Sequence, residues 1–286
     1  AAVIAVRGAR ALPTGPRAVD RQINAPSLLP SALRAECGVH HQGLSEVIPV
    51  AQGGAVVART RQSLVQLFDP ICPAGSYPAA LKDLQQRAKQ EFRWPALYKC
   101  SARMAVLARR AGRSVMPIAQ ELWIDPAAFR LDRSACRQLR RKLRRAEAAG
   151  VSVARAGPVL PWMEMRDIAR RWAHSRGGER GFSMGRFCPA YVAHQQVYLA
   201  HQKGRLVAFV TFHRSQGEVT LDLMRSSDQT PDGTLHALIH AALVDAARDG
   251  VARVSLAALP LRAPDQDRDS RLQTLLGNAV NCDGLR

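Results

Sequence analysis

The chain has 286 residues, enough to bury a sizeable core and most naturally divided into two domains. With 47% apolar residues it belongs to the globular class, and no apolar run approaches the roughly 20 residues that a membrane span needs. Its 41 Lys and Arg against 23 Asp and Glu give a net charge of +18, a surface that attracts RNA, DNA, anionic lipid or phosphorylated substrates. The six cysteines lie far apart with no C-x-x-C, which excludes a zinc pattern and a dense disulfide framework. Reduced thiols in a cytosolic protein are the simplest reading. The opening "AAVIAVRGAR" has no initiator Met and reads as the cut end of something longer, such as the last turns of an upstream membrane helix.

Residues 1–45 are irregular and punctuated by Pro13, Pro16, Pro26 and Pro30. "EVIPVAQGGAVVART" predicts two short strands around Gly53-Gly54, and "SLVQLFDPI" a third strand ended by Asp69-Pro70. "YPAALKDLQQRAKQEF" has the apolar spacing of an amphipathic helix. "PALYKC" then reads as a strand, "ARMAVLARRAG" as a helix closed by Gly112, and "MPIAQELWID" as a strand. The spacing predicts a helix over 132–150, capped by Asp132 or Ser134, with a narrow stripe of Cys136, Leu139, Leu143 and Ala146. Around that stripe stand Arg133, Arg137, Arg140, Arg141, Lys142, Arg144 and Arg145. Like charges stacked at helical spacing repel one another, and that cost points to an anionic partner.

A second unit follows. "PWMEMRDIARRWAHSRGG" predicts a helix, and "GFSMGRF" (181–187) a glycine-rich, apolar crossover. "QQVYLAHQKGRLVAFVTFHRSQGEVTLDLMRS" gives three antiparallel strands with turns at Lys203-Gly204 and Gln216-Gly217. "TLHALIHAALVDAARDG" is a helix capped by Asp232 or Thr234, and "VARVSLAAL" a strand. Strands, helix, strand, helix therefore occur twice, an α+β unit in tandem: 1–45 an irregular segment, 46–152 a first domain ending in the basic helix, 153–286 a second domain.

Three antiparallel strands, a helix and a strand is the order of a GNAT-type acyltransferase core. In that fold the helix after the fourth strand starts at a glycine-rich loop that cradles the pyrophosphate of acetyl-CoA. Here the loop is "SSDQTPDGT", and Asp228 and Asp232 would repel a pyrophosphate, so acetyl-CoA is not expected as donor. Asp222 and Arg225 in "LDLMR" are the polar residues of interest. In a regular strand they point to opposite faces and share a pocket only if the strand bulges or ends between them; otherwise they are an edge-strand Asp and a surface Arg. His236 and His240 share a helix face without a third ligand, so no metal site is expected.

"GFSMGRF", "LVAFVTF", "LDLMR", "PDGTLHALI" and "LAALPL" follow one another in the order seen in the phosphatidylglycerol lysyltransferase family. The resemblance is to the cytosolic catalytic region, which follows a membrane-embedded flippase in full-length members. "VQLFDPICP", "ALYKCSARMAVLARRAG", "AQELWID" and "RQLRRKLRRAEAAGV" fall where the family has its first GNAT-like unit, so the likeness covers most of 46–286. It implies tandem GNAT-like domains that take lysine or alanine from aminoacyl-tRNA and pass it to the glycerol hydroxyl of phosphatidylglycerol, at the cytoplasmic face of the membrane and without a cofactor. An upstream or separate flippase is the further partner implied. Asp222 and Arg225 match the family's D-L-M-R motif. The resemblance makes Asp222 the group that holds the aminoacyl amino group or helps deprotonate the lipid hydroxyl, and Arg225 the group that binds a phosphate or the developing oxyanion. Phe182, Ser183, Met184, Gly185 and Arg186 become substrate-binding candidates, with a packed crossover as the alternative. Arg137, Arg140, Arg141, Lys142, Arg144 and Arg145 become the surface for tRNA or anionic lipid. Family members continue past the position of Arg286 with a basic, aromatic segment, and Cys282 stands where an aromatic is usual. A non-lipid acceptor and an inactive tRNA- or lipid-binding module are the alternative functions.

Overall fold

The stretches 55–58 and 64–67, either side of a polar turn, show no alternation of apolar and exposed positions, the pattern of strands covered on both sides. The computed structural model describes residues 25–179 and 181–260, in two compact units, and builds the first unit around them. Helix α1 (Ala25–Leu28) and 3-10 turns at Leu29–Ser31 and Ala35–Gln42 lead into β1 (Glu46–Val50), β2 (Gly53–Arg59) and β3 (Ser63–Ile71). Helix α2 (Tyr77–Gln90), β4 (Trp94–Tyr98) and α3 (Ala102–Arg110) follow. The sheet runs β1-β2-β3-β4, antiparallel except for the parallel pair β3 and β4. Side chains alternate across it: Ala55, Val57 and Leu64 join Leu81, Leu84 and Met104 of α2 and α3. Val56, Ala58, Val65 and Leu67 join Leu29, Cys37 and Val39 from the 3-10 segment. From residue 25 onward, the segment expected to be irregular therefore covers one face of a sheet; residues 1–24 lie outside the described residues.

Two local expectations change. The β1–β2 hairpin turns at Ala51 and Gln52, since Val50 already pairs with Gly53. Gly53 is needed for close approach instead: a β-carbon there would overlap the Ile71 carbonyl oxygen. Strand β3 does not end at Asp69-Pro70 but bulges past it to Ile71, and the Asp69 carboxylate accepts the Ser101 N–H (2.8 Å) at the start of α3.

In the second unit the chain runs through β5 (Ala119–Ile124), α4 (Arg137–Ala148), β6 (Val151–Arg155), α5 (Trp162–Ser175) and α6 (Pro189–Val192). It continues with β7 (Gln196–Gln202), β8 (Arg205–Arg214), β9 (Glu218–Ser226), α7 (Thr234–Arg248) and β10 (Arg253–Pro260). Its sheet is ordered β5-β10-β9-β8-β7-β6, with β6 to β9 antiparallel and β9 to β10 parallel. Each unit thus carries the antiparallel meander, helix and parallel strand of a GNAT-like α+β core. Val197, Leu199, Phe209 and Leu223 pack with Met165, Ile168 and Ala169 of α5. The alternate residue Tyr198 turns to α7, where its hydroxyl donates to Asp245 (3.0 Å).

The expected junction at 152/153 is corrected: the units divide after Gln120, and Gly181–Gly185 belong to the first. The reason is where α4 and its flanking strands bury their surface. Helix α4 lies on α7, β6 pairs with β7, and β5 lies beside β10. Helix α4 begins at Arg137 after a 3-10 turn and has no side-chain cap, so neither Asp132 nor Ser134 caps it. Helix α7 is capped by Gly233, not by Asp232 or Thr234. Among the described residues, Cys37, Cys72, Cys100 and Cys188 are free thiols. No helix among the described residues is long and apolar enough to cross a membrane.

Two stability predictions follow from this packing. Gly233 has φ +91°, and a β-carbon there would overlap the Lys142 carbonyl oxygen; Gly233→Ala lowers the unfolding free energy by about 2–4 kcal/mol in urea titration. In the first unit, burial alone would raise the Glu91 carboxyl, but hydrogen bonds from Arg59 (2.5 and 2.7 Å) and Arg87 (3.0 Å) override it and hold the group at about 2 against an ordinary 4.5. A depressed carboxyl stabilises the fold fully above its unfolded value and loses that contribution as pH falls through its folded value. Thermal unfolding from pH 5 to pH 2 shows on the order of 2 kcal/mol of acid sensitivity that Glu91→Gln removes.

Candidate active site

Strands β8 and β9 do not pair evenly. Val210 faces Met224 and Phe212 faces Leu221, so one residue of β8, Thr211, stands against two of β9, Asp222 and Leu223. The Leu223 N–H is taken by the Thr211 hydroxyl (3.1 Å), which satisfies a donor that the bulge removes from the ladder. The slip brings Asp222 and Arg225 to one side, close enough that the Asp222 carboxylate acts on the Arg225 charge. A bulge is one of the two ways, a strand end being the other, in which the sequence let these residues share a face.

Asp222 sits in a ring of polar groups. Its Oδ2 accepts from the Tyr191 hydroxyl (2.7 Å) and from the Gln195 amide (2.8 Å), and His213 Nε2 lies 3.5 Å away. The Tyr191 oxygen is also 2.9 Å from His213 Nε2. Its single proton goes to the carboxylate, which can only accept, so the His213 Nε2 donates to the Tyr191 oxygen. Tyr191 comes from α6, Gln195 from the turn before β7, and His213 from the end of β8.

Arg225 is 5% exposed and is held on three sides. Its Nε and one terminal nitrogen donate to Glu179 Oε1 (3.3 and 3.2 Å), and the other terminal nitrogen donates to the Met224 carbonyl (3.1 Å). The guanidinium carbon lies 3.7 Å from the ring centroid of Trp172 in α5, a cation–π contact. Burial pulls the Arg225 pKa down, and the carboxylates of Glu179 and Asp222 oppose that pull. Glu179 Oε2 in turn accepts the Phe187 N–H, which ties the end of "GFSMGRF" to the same group. Three of the five guanidinium N–H groups are engaged, leaving two for a ligand.

The other expected site residues are spread differently. Phe182 (φ +69°) packs its ring edge-on to Tyr98 (5.7 Å) in the core of the first unit. Ser183 is buried, the Met184 carbonyl accepts from Gln42 (3.0 Å), and Gly185 closes the portion assigned to the first unit. Arg186 opens the second unit's stretch, and Phe187 packs on Phe209 (5.7 Å). The aromatic residues of this segment are thus core anchors. On α4, Lys142 and Arg145 bind Asp232 (2.6 and 2.8 Å), which holds that carboxyl below its ordinary value. Arg140 donates to the carbonyls of Leu131 and Arg133 (2.6 Å each). Arg137, Arg141 and Arg144 remain exposed, with no carboxylate partner among the described residues. His236 is buried and, by burial first and the Lys142 charge second, pushed down to about 4; His240 stacks near Phe129 (6.2 Å). Among the described residues no three or more His, Cys, Asp or Glu gather where a metal could bind.

Glu179, Trp172, Tyr191, Gln195 and His213 escaped the sequence reading. His213 carried a usable signal, being a polar residue within the apolar strand "LVAFVTFHR" that pairs with Thr220 next to Asp222.

Comparison with known proteins agrees with this architecture. The family model for phosphatidylglycerol lysyltransferase, C-terminal, matches residues 40–283. The lysylphosphatidylglycerol biosynthesis bifunctional protein LysX of Mycolicibacterium vanbaalenii is 32% identical over 196 residues, 66% of this chain and 18% of its own length. The phosphatidylglycerol lysyltransferase of Bacillus subtilis is 26% identical over 204 residues, 69% of this chain and 24% of its own length. The solved C-terminal domain (DUF2156) of an Agrobacterium fabrum protein is 24% identical with a TM-score of 0.73, covering 92% of this chain and 84% of that one, a likeness of fold. The chain therefore spans a quarter or less of the curated relatives named here, and with most of its length matched it belongs to the phosphatidylglycerol lysyltransferase C-terminal family.

Proposed function

We propose that the chain transfers an amino acid, lysine in the first instance, from aminoacyl-tRNA to the glycerol hydroxyl of phosphatidylglycerol, acting peripherally at the inner face of the cell membrane. The observation that carries this reading is the bulged pair Asp222 and Arg225 within a cluster of polar side chains, in a family whose relatives are named for lysyl transfer to this lipid. An upstream or separate flippase is the membrane partner that the reading calls for, and no cofactor enters it.

The reaction exchanges one ester for another. The lipid glycerol oxygen bonds to the aminoacyl carbonyl carbon, the bond from that carbon to the tRNA ribose oxygen breaks, and the glycerol proton ends on the ribose oxygen. Positioning and charge stabilisation carry such a step. Asp222, fixed by Tyr191 and Gln195, presents a steady negative charge to the α-ammonium of the amino acid. Arg225 turns its two remaining N–H groups to the carbonyl oxygen as negative charge develops there. Trp172 and Glu179 are positioning residues that hold the guanidinium in place. Acetyl-CoA fits poorly in the second unit, because Asp232 and the Lys142 carbonyl already occupy the start of α7. Ser183 and Arg186 are proposed substrate contacts, and Arg137, Arg141 and Arg144 the surface for tRNA phosphates.

Transfer of radiolabelled lysine from charged tRNA into organic-soluble lipid tests the reading. Asp222→Asn and Arg225→Ala each lower kcat about 10²–10³-fold. If both variants transfer like the parent, the site assignment fails; label that stays in the aqueous phase overturns the lipid acceptor. A rise in KM alone for Arg225→Ala would mean that it binds a phosphate in the ground state. Trp172→Phe retains most activity, whereas Trp172→Leu lowers kcat by about tenfold, the loss expected for a desolvated cation–π contact.

A further inference from the structure

Helix α2 of the first unit ends at Gln90, and the chain turns sharply into β4. The Phe92 N–H donates to the Lys89 carbonyl (3.1 Å) and the Arg93 N–H to the Ala88 carbonyl (2.8 Å), the paired bonds of a helix end that requires a left-handed residue. That residue is Phe92, with φ +52°, where glycine or asparagine is usual and a bulky side chain is strained. Its ring is 98% exposed, so no packing offsets the strain. Two residues on, Trp94 opens the edge strand β4 and is 74% exposed. The fold gains nothing from either ring, and a turn that would form better with glycine keeps Phe92.

The charges beside the two rings have one sign. The carboxylates at this end of the sheet are occupied: Glu91 by Arg59, Arg87 and Arg93, and Glu46 by Arg59. The Trp94 N–H donates to the Gln62 carbonyl (2.8 Å), which sets the β2–β3 turn alongside. Exposed Arg61 in that turn and exposed Lys89 on α2 have no carboxylate partner among the described residues. Exposed Trp and Phe with flanking Lys and Arg match the chemistry of an anionic bilayer surface, where rings settle at headgroup depth and cations meet lipid phosphates.

We propose that the turn at Phe92–Trp94 docks the first unit onto an anionic lipid bilayer, with Arg61 and Lys89 as its electrostatic contacts. This deepens the proposed lipid reaction by naming a surface that meets the membrane. It rests on that reading only for the benefit of docking, because binding is measured without tRNA.

The test is sedimentation of the full chain with vesicles of phosphatidylglycerol and phosphatidylcholine in equal amounts, against phosphatidylcholine alone. The parent binds the anionic vesicles, and Phe92→Gly with Trp94→Ser weakens that binding at least about tenfold. Phe92→Gly alone weakens binding while leaving Tm equal or higher, since glycine relieves the left-handed strain; a residue serving only the fold would lower Tm. Brominated lipid quenches Trp fluorescence in the parent, and most of that quenching is lost in Trp94→Ser. Unchanged vesicle binding by the double variant overturns the proposal. So does a double variant that loses self-association in sedimentation equilibrium while binding vesicles normally, which would make the turn a contact between copies. Lysyl transfer to detergent-dispersed phosphatidylglycerol, measured separately, separates the two readings. Vesicle binding without any transfer by the parent leaves docking standing and removes the proposed function.

Discussion

Where β8 and β9 pair, Thr211 between Val210 and Phe212 is matched by two residues, Asp222 and Leu223, between Leu221 and Met224, and without the extra one Asp222 and Arg225 would stand on opposite faces of the sheet. A bulge forfeits ladder bonds, and the Thr211 hydroxyl recovers one of them. Placing a guanidinium at 5% exposure in the sheet is the larger demand. It is met by Glu179 in the plane of the group and by Trp172 on its face, both supplied from α5 and the segment after it. Asp222 is met in the same manner by Tyr191 of α6 and Gln195 before β7. Besides packing the core, α5 and α6 thus supply the groups that meet the two charges one bulge placed together.

The net charge of +18 is not spread evenly over partners. In the first unit Glu91 alone takes up three arginines. In the second, Asp232 takes up Lys142 and Arg145, and two backbone carbonyls take up Arg140. These pairings remove cations that would otherwise repel within α4 and leave Arg137, Arg141 and Arg144 along its exposed side. What the surface displays is the remainder after internal neutralisation, so counting arginines in the sequence overstates the charge that a partner meets.

Strand and helix order was legible because each element carried its own period or its own turn chemistry, as in "YPAALKDLQQRAKQ" and the Lys203-Gly204 turn. Of the candidate site, "LDLMR" offered two polar residues that could share a face only across a bulge or a strand end, and β9 bulges there. Its supporting groups were not legible, because Trp172, Glu179, Tyr191 and Gln195 lie far from that motif in sequence and meet it only through packing. The division into units failed for a related reason. The stripe on α4 shows that the helix buries one side, but nothing in its period says that the side lies on α7. Gly53-Gly54 misled in another way, since a glycine pair marks a turn and a close backbone approach equally well, and here the Ile71 carbonyl decides between them.

Under the proposed reading, the start of helix α7 bears on the choice of donor. A helix start concentrates unpaired N–H groups and a partial positive charge, which suits a pyrophosphate. In this chain Asp232 stands there, bound to Lys142 and Arg145, and the Lys142 carbonyl presses against Gly233 so closely that only glycine fits. The Asp232 carboxylate beside this helix start is held by Lys142 and Arg145, and the α4 backbone at Lys142 lies against Gly233. Under the proposed reading, a donor whose charge is concentrated in one pyrophosphate is not the one this helix start serves. A donor whose charge is distributed over many backbone phosphates needs no single loop, because it can be met by separated cations such as Arg137, Arg141 and Arg144 on the same helix. On that reading, the ion pairs of Asp232 with Lys142 and Arg145 also hold the basic helix in position for a nucleic acid donor.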